Sequence, residues 1–478
     1  MNRIEEEQAT ASILKEIIEN KNIELEQGVY HFDGRYIAKS TRSLWQSIKD
    51  NPPGFILECK AASPSKGLMC KNYQPRELAL TYQPYAAAIS VLTDQKYFSG
   101  NFEHLQQVSN AVDIPVLCKD FFIDPEQVQR ARQHGADAIL IMLSVVDDAL
   151  YQRLADTASS LDMDVLTEVH QPQEIQRAIN LGAKIIGINN RDLHSLKTDI
   201  SLTISLSDLI PDDVLLISES GFSQHTQIEQ MKNLKRPVDG FLIGSHLSQS
   251  EYLIHELKQL KYGAVKICGI TSVFDAMNAF ESGVSYGGLI FSHQSSRKVS
   301  LDKAKTIVGS VNLKWVGVFT ETSLEEIETV VYNLKLSAVQ IHWHATEAFF
   351  DALKNILPER CEIWQVLKIH DLKTLQHLTL TSDSVDRLLI EPTGELAGGN
   401  GLSFPWDNIN LVDRDLSKII VAGGINPSNI QQIKKYQFGI VDVNSGVETK
   451  PGVKSLEKIA QLFSNLLLSN EQKRRVAE

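Results

Sequence analysis

The sequence predicts an α/β fold made of two (β/α)8 TIM barrels in tandem. Short apolar runs alternate with amphipathic segments of helical length, which is the pattern of parallel strands buried between helices. Eight such runs occur in each half of the chain, and eight strand–helix units close into one barrel. With 478 residues, the chain is also too long for one ordinary core.

The first half begins with a helical extension over residues 1–50. Apolar residues recur at helical spacing over 11–18, and a shorter helix is predicted over 43–48. A segment in this position could cap the barrel or act as a lid. The predicted strands of the first barrel are 55–59, 88–92, 114–118, 138–142, 164–168, 184–188, 214–218 and 240–243.

The same pattern starts again after a short joint at 259–263. The predicted strands of the second barrel are 264–268, 286–291, 313–318, 337–341, 362–367, 386–390, 418–422 and 438–442. The halves share an architecture but little detailed sequence, so they are two domains and not a repeat array. We expect the domains to span 1–258, which includes the extension, and 264–478.

Composition excludes several classes of protein. A net charge of −12 without a basic stripe argues against nucleic-acid binding. The acidic N-terminus has no apolar core of a signal peptide, and the longest apolar runs are too short to span a bilayer. Five cysteines without a CxxC pair favour a reducing compartment over disulfides or metal binding. We expect a cytoplasmic monomer that contacts no membrane.

Polar residues follow most strands of the first barrel, at the carboxyl ends where such barrels carry their active sites. Glu58 and Lys60 lie two residues apart, so their side chains face the same way. Alone, they would predict an ordinary ion pair, but the polar residues at the other strand ends make a site the better interpretation. The candidates are Glu58, Lys60, Ser63, Lys119, Glu168, Asn189, Arg191, Glu219, Ser220, Gly221, Gly244 and Ser245.

Two short Gly/Ser pairs in the first barrel predict a phosphate site. Ser220-Gly221 and Gly244-Ser245 follow the seventh and eighth predicted strands. Small residues with free backbone N–H groups at these two strand ends bind phosphate in many such barrels. Either pair alone would be weak evidence.

The second barrel repeats this arrangement with different chemistry. Cys268 ends the first predicted strand, where a lone cysteine is usually a small buried hydrophobe but a rim position permits proton transfer. Gly423-Gly424 and Ser445-Gly446 follow the seventh and eighth strands and predict a second phosphate site. The remaining candidates at these strand ends are His342 and Asp442. Neither rim shows a cluster with metal-ligand spacing, so we expect no metal and no cofactor.

Four segments of the first half closely resemble indole-3-glycerol phosphate synthase. They are 55–67 (FILECKAASPSKG), 117–121 (LCKDF), 187–193 (GINNRDL) and 218–221 (SESG). The resemblance covers about residues 10–258. It implies closure and decarboxylation of 1-(2-carboxyphenylamino)-1-deoxyribulose 5-phosphate with loss of CO2 and water.

The resemblance also implies roles for the residues at this rim. Lys119 corresponds to the general acid, Glu168 to the general base of dehydration, and Lys60 to a substrate-holding lysine that can share proton transfer. Glu58 and Asn189 correspond to orienting groups, and Glu219 is expected behind the groups that touch the substrate. The phosphate and carboxylate end of the substrate is assigned to Arg191, Ser220, Gly221, Gly244 and Ser245.

The second half, about residues 264–466, resembles phosphoribosylanthranilate isomerase. The matching segments are 265–271 (VKICGIT), 339–342 (VQIH), 398–401 (GGNG), 421–427 (VAGGINP) and 442–448 (DVNSGVE). The resemblance implies an Amadori rearrangement with Cys268 as the general base at C2′. It places Arg297 near anionic groups of the substrate and Gly424, Ser445 and Gly446 at its phosphate.

The position of the general acid departs from the isomerase pattern, as do Trp343, where the family usually has glycine, and Ser296, where it usually has proline. The family's general acid is an aspartate that ends strand 6, and this chain has Glu391 there. The extra methylene displaces the proton by roughly 1 Å, which can cost on the order of a hundredfold in rate. Alternatively, the backbone adjusts, helped by Pro392, which holds Glu391 extended.

Taken together, the two resemblances imply two sequential steps of tryptophan biosynthesis on phosphorylated anthranilate–sugar substrates. The alternatives are a synthase whose second barrel is inactive and a second barrel that only binds a phosphate ligand or stabilises the chain. A phosphosugar barrel unrelated to tryptophan also remains open, but it accounts poorly for the long matching segments.

Overall fold

The computed structural model describes residues 3–32, 34, 36–63, 67–68, 73–192, 197–244, 247, 250, 252–369, 380–392, 416–434, 436 and 438–467. The side chains of residues 3–12, 63 and 68 are outside that description. The chain divides into two compact units. One contains the residues up to Ser223 together with Gln227–Leu253, and the other contains Gln224–Thr226 and the chain from Ile254 onward.

The first unit is a closed barrel of eight parallel strands, preceded by two helices. Its strands are β1 (Gly54–Cys59), β2 (Ala62–Ser63), β3 (Gly67–Leu68), β4 (Ala88–Leu92), β5 (Val116–Lys119), β6 (Ala138–Met142), β7 (Asp164–Val169), β8 (Ile185–Asn189), β9 (Leu215–Glu219) and β10 (Gly240–Ile243). The barrel runs β1-β4-β5-β6-β7-β8-β9-β10 and closes on β1, while β2 and β3 form a small antiparallel pair. Nearly every barrel strand is buried along its length, as its continuous apolar sequence predicts.

The helices of the first unit are α1 (Arg3–Glu26), α2 (Leu44–Asp50), α3 (Pro75–Tyr82), α4 (Gln95–Phe98), α5 (Phe102–Ser109), α6 (Pro125–Gln133), α7 (Asp148–Ser160), α8 (Pro172–Asn180), α9 (Ser201–Leu206) and α10 (His225–Lys232). Several begin where the sequence supplies a cap. Asp147, for example, accepts a hydrogen bond from Leu150 N at 2.8 Å, and Asp124 and Gln127 form a capping box at the start of α6.

The N-terminal extension contributes α1 and α2, as predicted. In α2, Leu44 and Ile48 are fully buried and pack with Ile56, Ala88 and Leu117, which line the barrel interior near the starts of their strands. The short helix therefore covers the amino-terminal end of the barrel. It is a cap at the end opposite the carboxyl ends of the strands.

The second unit is a second closed barrel of eight parallel strands, in the order β11 to β18. Its strands are β11 (Ala264–Ile267), β12 (Tyr286–Ile290), β13 (Lys314–Phe319), β14 (Ala338–Ile341), β15 (Glu362–Ile369), β16 (Arg387–Pro392), β17 (Ile419–Val421), β18 (Ile440–Val443), β19 (Glu448–Lys450) and β20 (Val453–Lys454). The last two pair antiparallel outside the barrel. Its helices are α11 (Leu253–Tyr262), α12 (Val273–Ser282), α13 (Leu301–Val308), α14 (Leu324–Leu334), α15 (Glu347–Ile356), α16 (Ile430–Lys434) and α17 (Leu456–Leu467).

The predicted fold class is confirmed, and each predicted strand overlaps an observed one to within about two residues at either end. The predicted joint at 259–263 consists of the last residues of α11 and Gly263. No helix in the described part of the chain is long and apolar enough to cross a membrane.

Candidate active sites

Lys119, the last residue of β5, lies among three glutamates at the rim of the first barrel. Its Nζ is 3.4 Å from Glu219 Oε2 and 3.9 Å from Glu168 Oε2. All three residues lie at the carboxyl ends of their strands: Lys119 ends β5, Glu219 ends β9, and Glu168 is the next-to-last residue of β7. Glu168 and Glu219 are buried, whereas the Lys119 side chain is 18% exposed and is therefore the least buried of the three.

Glu58 and Lys60 form the second charged group at this rim. Lys60 Nζ lies 2.6 Å from Glu58 Oε1, and both side chains are largely buried. The ion pair that the two-residue spacing would predict by itself is therefore present. It also stands beside the Lys119 group, since Lys119 contributes to the electrostatic environment of the Glu58 carboxylate.

The carboxylates of this rim differ in their affinity for protons. Burial raises the pKa of Glu219 to about 8, and the Glu168 charge adds to this effect while Lys119 opposes it. Burial also acts to raise the pKa of Glu58, but Lys60 and Lys119 outweigh it and hold that pKa below its usual value. For Lys119, burial acts to lower the pKa, and the charges of Glu219, Glu168 and Glu58 raise it above its usual value.

Two glycines make room for these carboxylates. A Cβ atom on Gly187 would overlap Glu219 Oε1, and one on Gly244 would overlap Glu58 Oε1. Gly244 was predicted at the phosphate end, and the structure shows that this glycine is also needed for the Glu58 side chain to fit. A residue without a side chain at the end of β10 is thus required on steric grounds.

The strand ends β8 and β9 hold the remaining predicted residues in a hydrogen-bonded arrangement. Arg191 N donates to Asn189 Oδ1 at 3.0 Å. Ser220 and Gly221 both have positive φ angles, 69° and 93°, and a Cβ on Gly221 would lie 2.7 Å from Thr198 Cγ2. Ser245 lies outside the described residues, as does the side chain of Ser63.

The rim of the second barrel is organised around a buried lysine that sequence reasoning did not single out. Lys266 Nζ donates to Asp442 Oδ2 at 2.6 Å and to Gln340 Oε1 at 2.8 Å, and its side chain is 0% exposed. The Lys266 ammonium also hydrogen-bonds the Cys268 thiol. A Cβ on Gly288 would lie 2.9 Å from Cys268 Sγ and 3.1 Å from Lys266 Cε, so Gly288 makes room for both side chains.

Burial raises the pKa of the Cys268 thiol, and the Lys266 ammonium offsets only part of that rise. Burial acts to lower the pKa of Lys266, but Asp442 keeps it above its usual value. Asp442 itself has a raised pKa because of burial, against the effect of Lys266. The second rim thus places its thiol next to a stable positive charge.

His342 and Glu391 meet across the same rim. His342 Nε2 lies 3.1 Å from Glu391 Oε2, and His342 Nδ1 lies 3.5 Å from Gln340 Nε2. Because Gln340 Oε1 accepts from Lys266, its amide nitrogen faces the imidazole. Burial acts to raise the pKa of Glu391, but the hydrogen bond from His342 and nearby cations lower it below its usual value.

Arg297, predicted near the substrate's anionic groups, makes a bidentate ion pair. Its Nε donates to Glu448 Oε1 at 2.9 Å and its Nη2 to Glu448 Oε2 at 2.6 Å. Lys454 Nζ joins Glu448 Oε1 at 2.8 Å. Although burial opposes the change, these two cations lower the pKa of Glu448 to about 2. Sequence reasoning missed Glu448 and Lys454 as members of this group.

The two predicted phosphate loops of the second barrel lie against each other. A Cβ on Gly446 would overlap the carbonyl oxygen of Ile425, which follows Gly423 and Gly424. The Gly424 carbonyl accepts hydrogen bonds from the side chains of Asn426 at 3.0 Å and Asn429 at 2.9 Å. Ser445 begins a turn of 3-10 helix directly after β18. The small residues at the ends of β17 and β18 therefore form one continuous backbone surface.

Among the described residues, no group of three or more His, Cys, Asp or Glu side chains could hold a metal ion. Four of the five cysteines, Cys59, Cys118, Cys268 and Cys361, are free and buried.

Comparison with known proteins decides between the alternatives. The sequence model of the indole-3-glycerol phosphate synthase family matches residues 10–260, and that of N-(5′-phosphoribosyl)anthranilate isomerase matches residues 265–465. The tryptophan biosynthesis protein TrpCF of Yersinia pestis is 41% identical over 462 residues, which is 96% of this chain and 94% of that protein. The chain belongs to the TrpCF family. It is a bifunctional enzyme of tryptophan biosynthesis, with a decarboxylating lyase and an isomerase.

A second TrpCF protein is similar over nearly the same extent of the chain. The TrpCF protein of Haemophilus influenzae is 44% identical over 440 residues, or 90% of this chain and 91% of that protein. A crystal structure of monomers of the dimeric phosphoribosylanthranilate isomerase from Thermotoga maritima is 29% identical, with a TM-score of 0.36, and covers 42% of this chain and 97% of that one. The alternative of a synthase with an inactive or merely ligand-binding second barrel finds no support in these relatives.

Proposed function

We propose that each barrel carries out its reaction with the residues at its own rim, and that the isomerase product is the synthase substrate. In the second barrel, N-(5-phosphoribosyl)anthranilate is rearranged to 1-(2-carboxyphenylamino)-1-deoxyribulose 5-phosphate. In the first barrel, this product is closed, decarboxylated and dehydrated to indole-3-glycerol phosphate. The observation that carries the assignment of roles is the ammonium of Lys119, which lies among the buried carboxylates of Glu168 and Glu219.

In the synthase, Lys119 is the general acid and polarises the ketose carbonyl during ring closure. A general acid must hold a proton at working pH, and the surrounding carboxylates raise the pKa of Lys119 above its usual value. Glu168, 3.9 Å from Lys119 Nζ, is the base that removes a proton during dehydration. Both groups act on the same side of the rim, which permits one bound substrate to meet them in turn.

The other rim residues bind and orient the synthase substrate. Lys60 holds the substrate and is itself held by Glu58, and Asn189 orients the substrate hydroxyls. Glu219 supports Lys119 directly, since the two side chains are 3.4 Å apart. Arg191, Ser220, Gly221, Gly244, Ser63 and Ser245 bind the phosphate and carboxylate groups.

In the isomerase, Cys268 is the base that takes the C2′ proton, and Glu391 is the acid at the ring oxygen. A thiolate is the reactive form of a cysteine base, and the adjacent Lys266 ammonium favours it against burial. Glu391 is ionised in the free enzyme because its pKa is lowered. It must take up a proton before it can act, and the imidazole of His342 lies 3.1 Å from its carboxylate.

The anionic ends of the isomerase substrate are bound by backbone and by Arg297. The adjoining surfaces around Gly423, Gly424, Ser445 and Gly446 supply N–H groups for the phosphate. Asp442, near the end of β18, acts on the ligand site through its ion pair with Lys266, and Arg297, fixed by Glu448, contributes positive charge. The domain limits 1–258 and 264–478, the monomeric state, the absence of nucleic-acid binding and the cytoplasmic location complete the proposal.

The experiment is to measure both activities in the full chain and in two variants. Lys119→Ala is expected to lose synthase activity by about a hundredfold or more and to keep isomerase activity. Cys268→Ala is expected to do the reverse. The readouts are loss of anthranilate-type fluorescence for freshly generated phosphoribosylanthranilate and formation of indole-3-glycerol phosphate.

A surface variant, Lys235→Ala, serves as the control, because that side chain is 87% exposed. Loss of both activities in either site variant would contradict two independent sites. Isomerase turnover that persists in Cys268→Ala would remove Cys268 as the base.

A further inference from the structure

A buried lysine of the N-terminal extension lies at the centre of a charged group next to the synthase rim. Lys21, in α1, has a side chain that is 1% exposed. Its Nζ lies 2.9 Å from Asp94 Oδ2, 2.9 Å from Asp120 Oδ1, and 3.0 Å from Glu24 Oε2. It also donates to the Tyr30 hydroxyl at 2.9 Å. Four oxygen partners around one ammonium make a nearly complete shell.

The two aspartates belong to the loops that follow adjacent strands of the barrel. Asp94 comes two residues after β4 and caps α4, because its Oδ1 accepts from Tyr97 N at 2.7 Å. Asp120 directly follows Lys119. Its carboxylate accepts from its neighbour Phe121 N at 2.8 Å and from the Thr93 hydroxyl at 2.6 Å.

These contacts fix the backbone that carries Lys119. Thr93 N donates to the Lys119 carbonyl at 3.2 Å, so the segments after β4 and β5 are joined by both main-chain and side-chain hydrogen bonds. Asp120 is the residue through which Lys21 reaches this junction. Asp94 and Asp120 are both buried, and two carboxylates at such close quarters need a cation between them.

We propose that Lys21 is a positioning residue for the synthase: its ammonium holds Asp120, and thereby the main chain at Lys119, in the place required for catalysis. Lys21 does not touch the rim residues themselves and acts through Asp120. The extension is thus part of the catalytic support and not only a cover for the barrel. This inference rests on the proposed role of Lys119.

The test compares kinetic constants of the full chain and of Lys21→Met, which keeps the length of the side chain and removes its charge. Synthase kcat is expected to fall about tenfold to a hundredfold, because small displacements of a catalytic group are costly, while KM changes less than about twofold. Isomerase activity of the same molecules is the internal control. Lys15→Met is the matched control, since Lys15 lies in the same helix with a side chain 78% exposed.

A second variant separates positioning from a loss of stability. Lys21→Met combined with Asp94→Asn removes one positive and one negative charge, so the net buried charge equals that of the unaltered chain. The asparagine keeps an oxygen for the Tyr97 cap. Stability is expected to recover relative to Lys21→Met alone, whereas synthase kcat is expected to stay low because Asp120 still lacks its ammonium.

Three results would overturn the inference: unchanged synthase kcat in Lys21→Met, an equal loss of isomerase activity, or return of synthase kcat to the normal value in the double variant. If Lys21→Met does not fold, the double variant alone decides through its kcat. Lys119→Ala is assayed in parallel, and its retention of synthase activity would reject the proposed acid instead.

Discussion

Each barrel places a lysine beside carboxylates, but on different strands: Lys119 ends β5, the third strand of the first barrel, and Lys266 lies within β11, the first strand of the second. In the first barrel, Lys119 points toward the open rim and is surrounded by Glu58, Glu168 and Glu219. In the second barrel, Lys266 is fully buried beside Cys268 and is paired with Asp442. In the proposed mechanisms, Lys119 gives a proton to a ligand, whereas Lys266 stabilises negative charge on Cys268.

The difference comes from depth along the strand. Lys119 is the last residue of β5, so its side chain extends past the barrel interior. Lys266 is the third of four residues of β11, and its side chain is enclosed by Gln340 and Asp442. Because the side chains of Lys266 and Cys268 face the same way, the residue that can reach a ligand is the thiol. In the proposed mechanism of the second barrel, Cys268 is the reacting group, and Lys266, two residues earlier on the same face, supports it.

The largest effect we expect is on the thiol itself. Replacing Lys266 with Met removes the charge that favours the thiolate, so the pKa of Cys268 is expected to rise further and isomerase turnover to fall on the order of a hundredfold. The measurement is the rate at which iodoacetamide alkylates the cysteines of the protein, as a function of pH. The rate measured for the Cys268→Ser variant is subtracted at each pH, so that the remainder reports Cys268. Synthase activity is expected to stay unchanged.

Lys266→Met leaves Asp442 without its ammonium, so Lys266→Met with Asp442→Asn is measured as well. The alkylation profile is expected to remain shifted in the double variant. The surface replacement Lys305→Met is the control. If the pH profile of alkylation is not shifted in either Lys266 variant, Lys266 does not favour the Cys268 thiolate, and the proposed contrast between the two lysines is wrong.

A smaller effect is expected when the acid of the second barrel is shortened. Glu391→Asp restores the family's residue, and isomerase turnover is expected to stay the same or to rise by up to about tenfold if Glu391 is the acid. The measurement is steady-state kcat, with synthase activity as the control. A large drop would indicate that the site is built around the longer side chain and its 3.1 Å contact with His342.

The sequence predicted the strands and most of both rims for a physical reason. Strands buried on both faces appear as continuous apolar runs, and a polar residue at the end of such a run is costly unless it has a use. Glu58 and Lys119 were singled out by this signal, and Cys268 by its position at the end of a strand. Lys266 was missed although it carries the same signal, since a lysine inside an apolar run, two residues from Cys268, shares its face.

The partners of Lys21 could not be predicted in this way. Helical spacing in α1 shows which residues lie near Lys21 on the helix, such as Glu24, but not which strand ends the helix meets. Asp94 and Asp120 are brought to it by packing between distant segments. The pairing of His342 with Glu391 across the second rim likewise depends on packing between distant segments.

The smallest effect we expect is a difference in the pH dependence of stability between the barrels. Glu219 has a folded pKa of about 8 against 4.5 when exposed, so the folded first barrel binds more protons between these values. Its contribution to stability is complete below about pH 4.5 and is lost as the pH rises through about 8, at no more than about 1.4 kcal/mol per pH unit. Glu219→Gln is expected to remove this loss.

Glu391 is expected to affect the pH dependence of stability in the opposite direction. Its pKa is lowered on folding, so its contribution is present above the pKa of the unfolded chain and is lost as the pH falls. Glu391→Gln is therefore expected to change the stability of the second barrel at neutral pH but not in acid. Hydrogen exchange of the strands β9 and β16, corrected for intrinsic rates, reports each barrel separately in the full chain. A pH dependence of the same sign in both barrels would mean that the buried carboxylates of the two rims are not in contrasting environments.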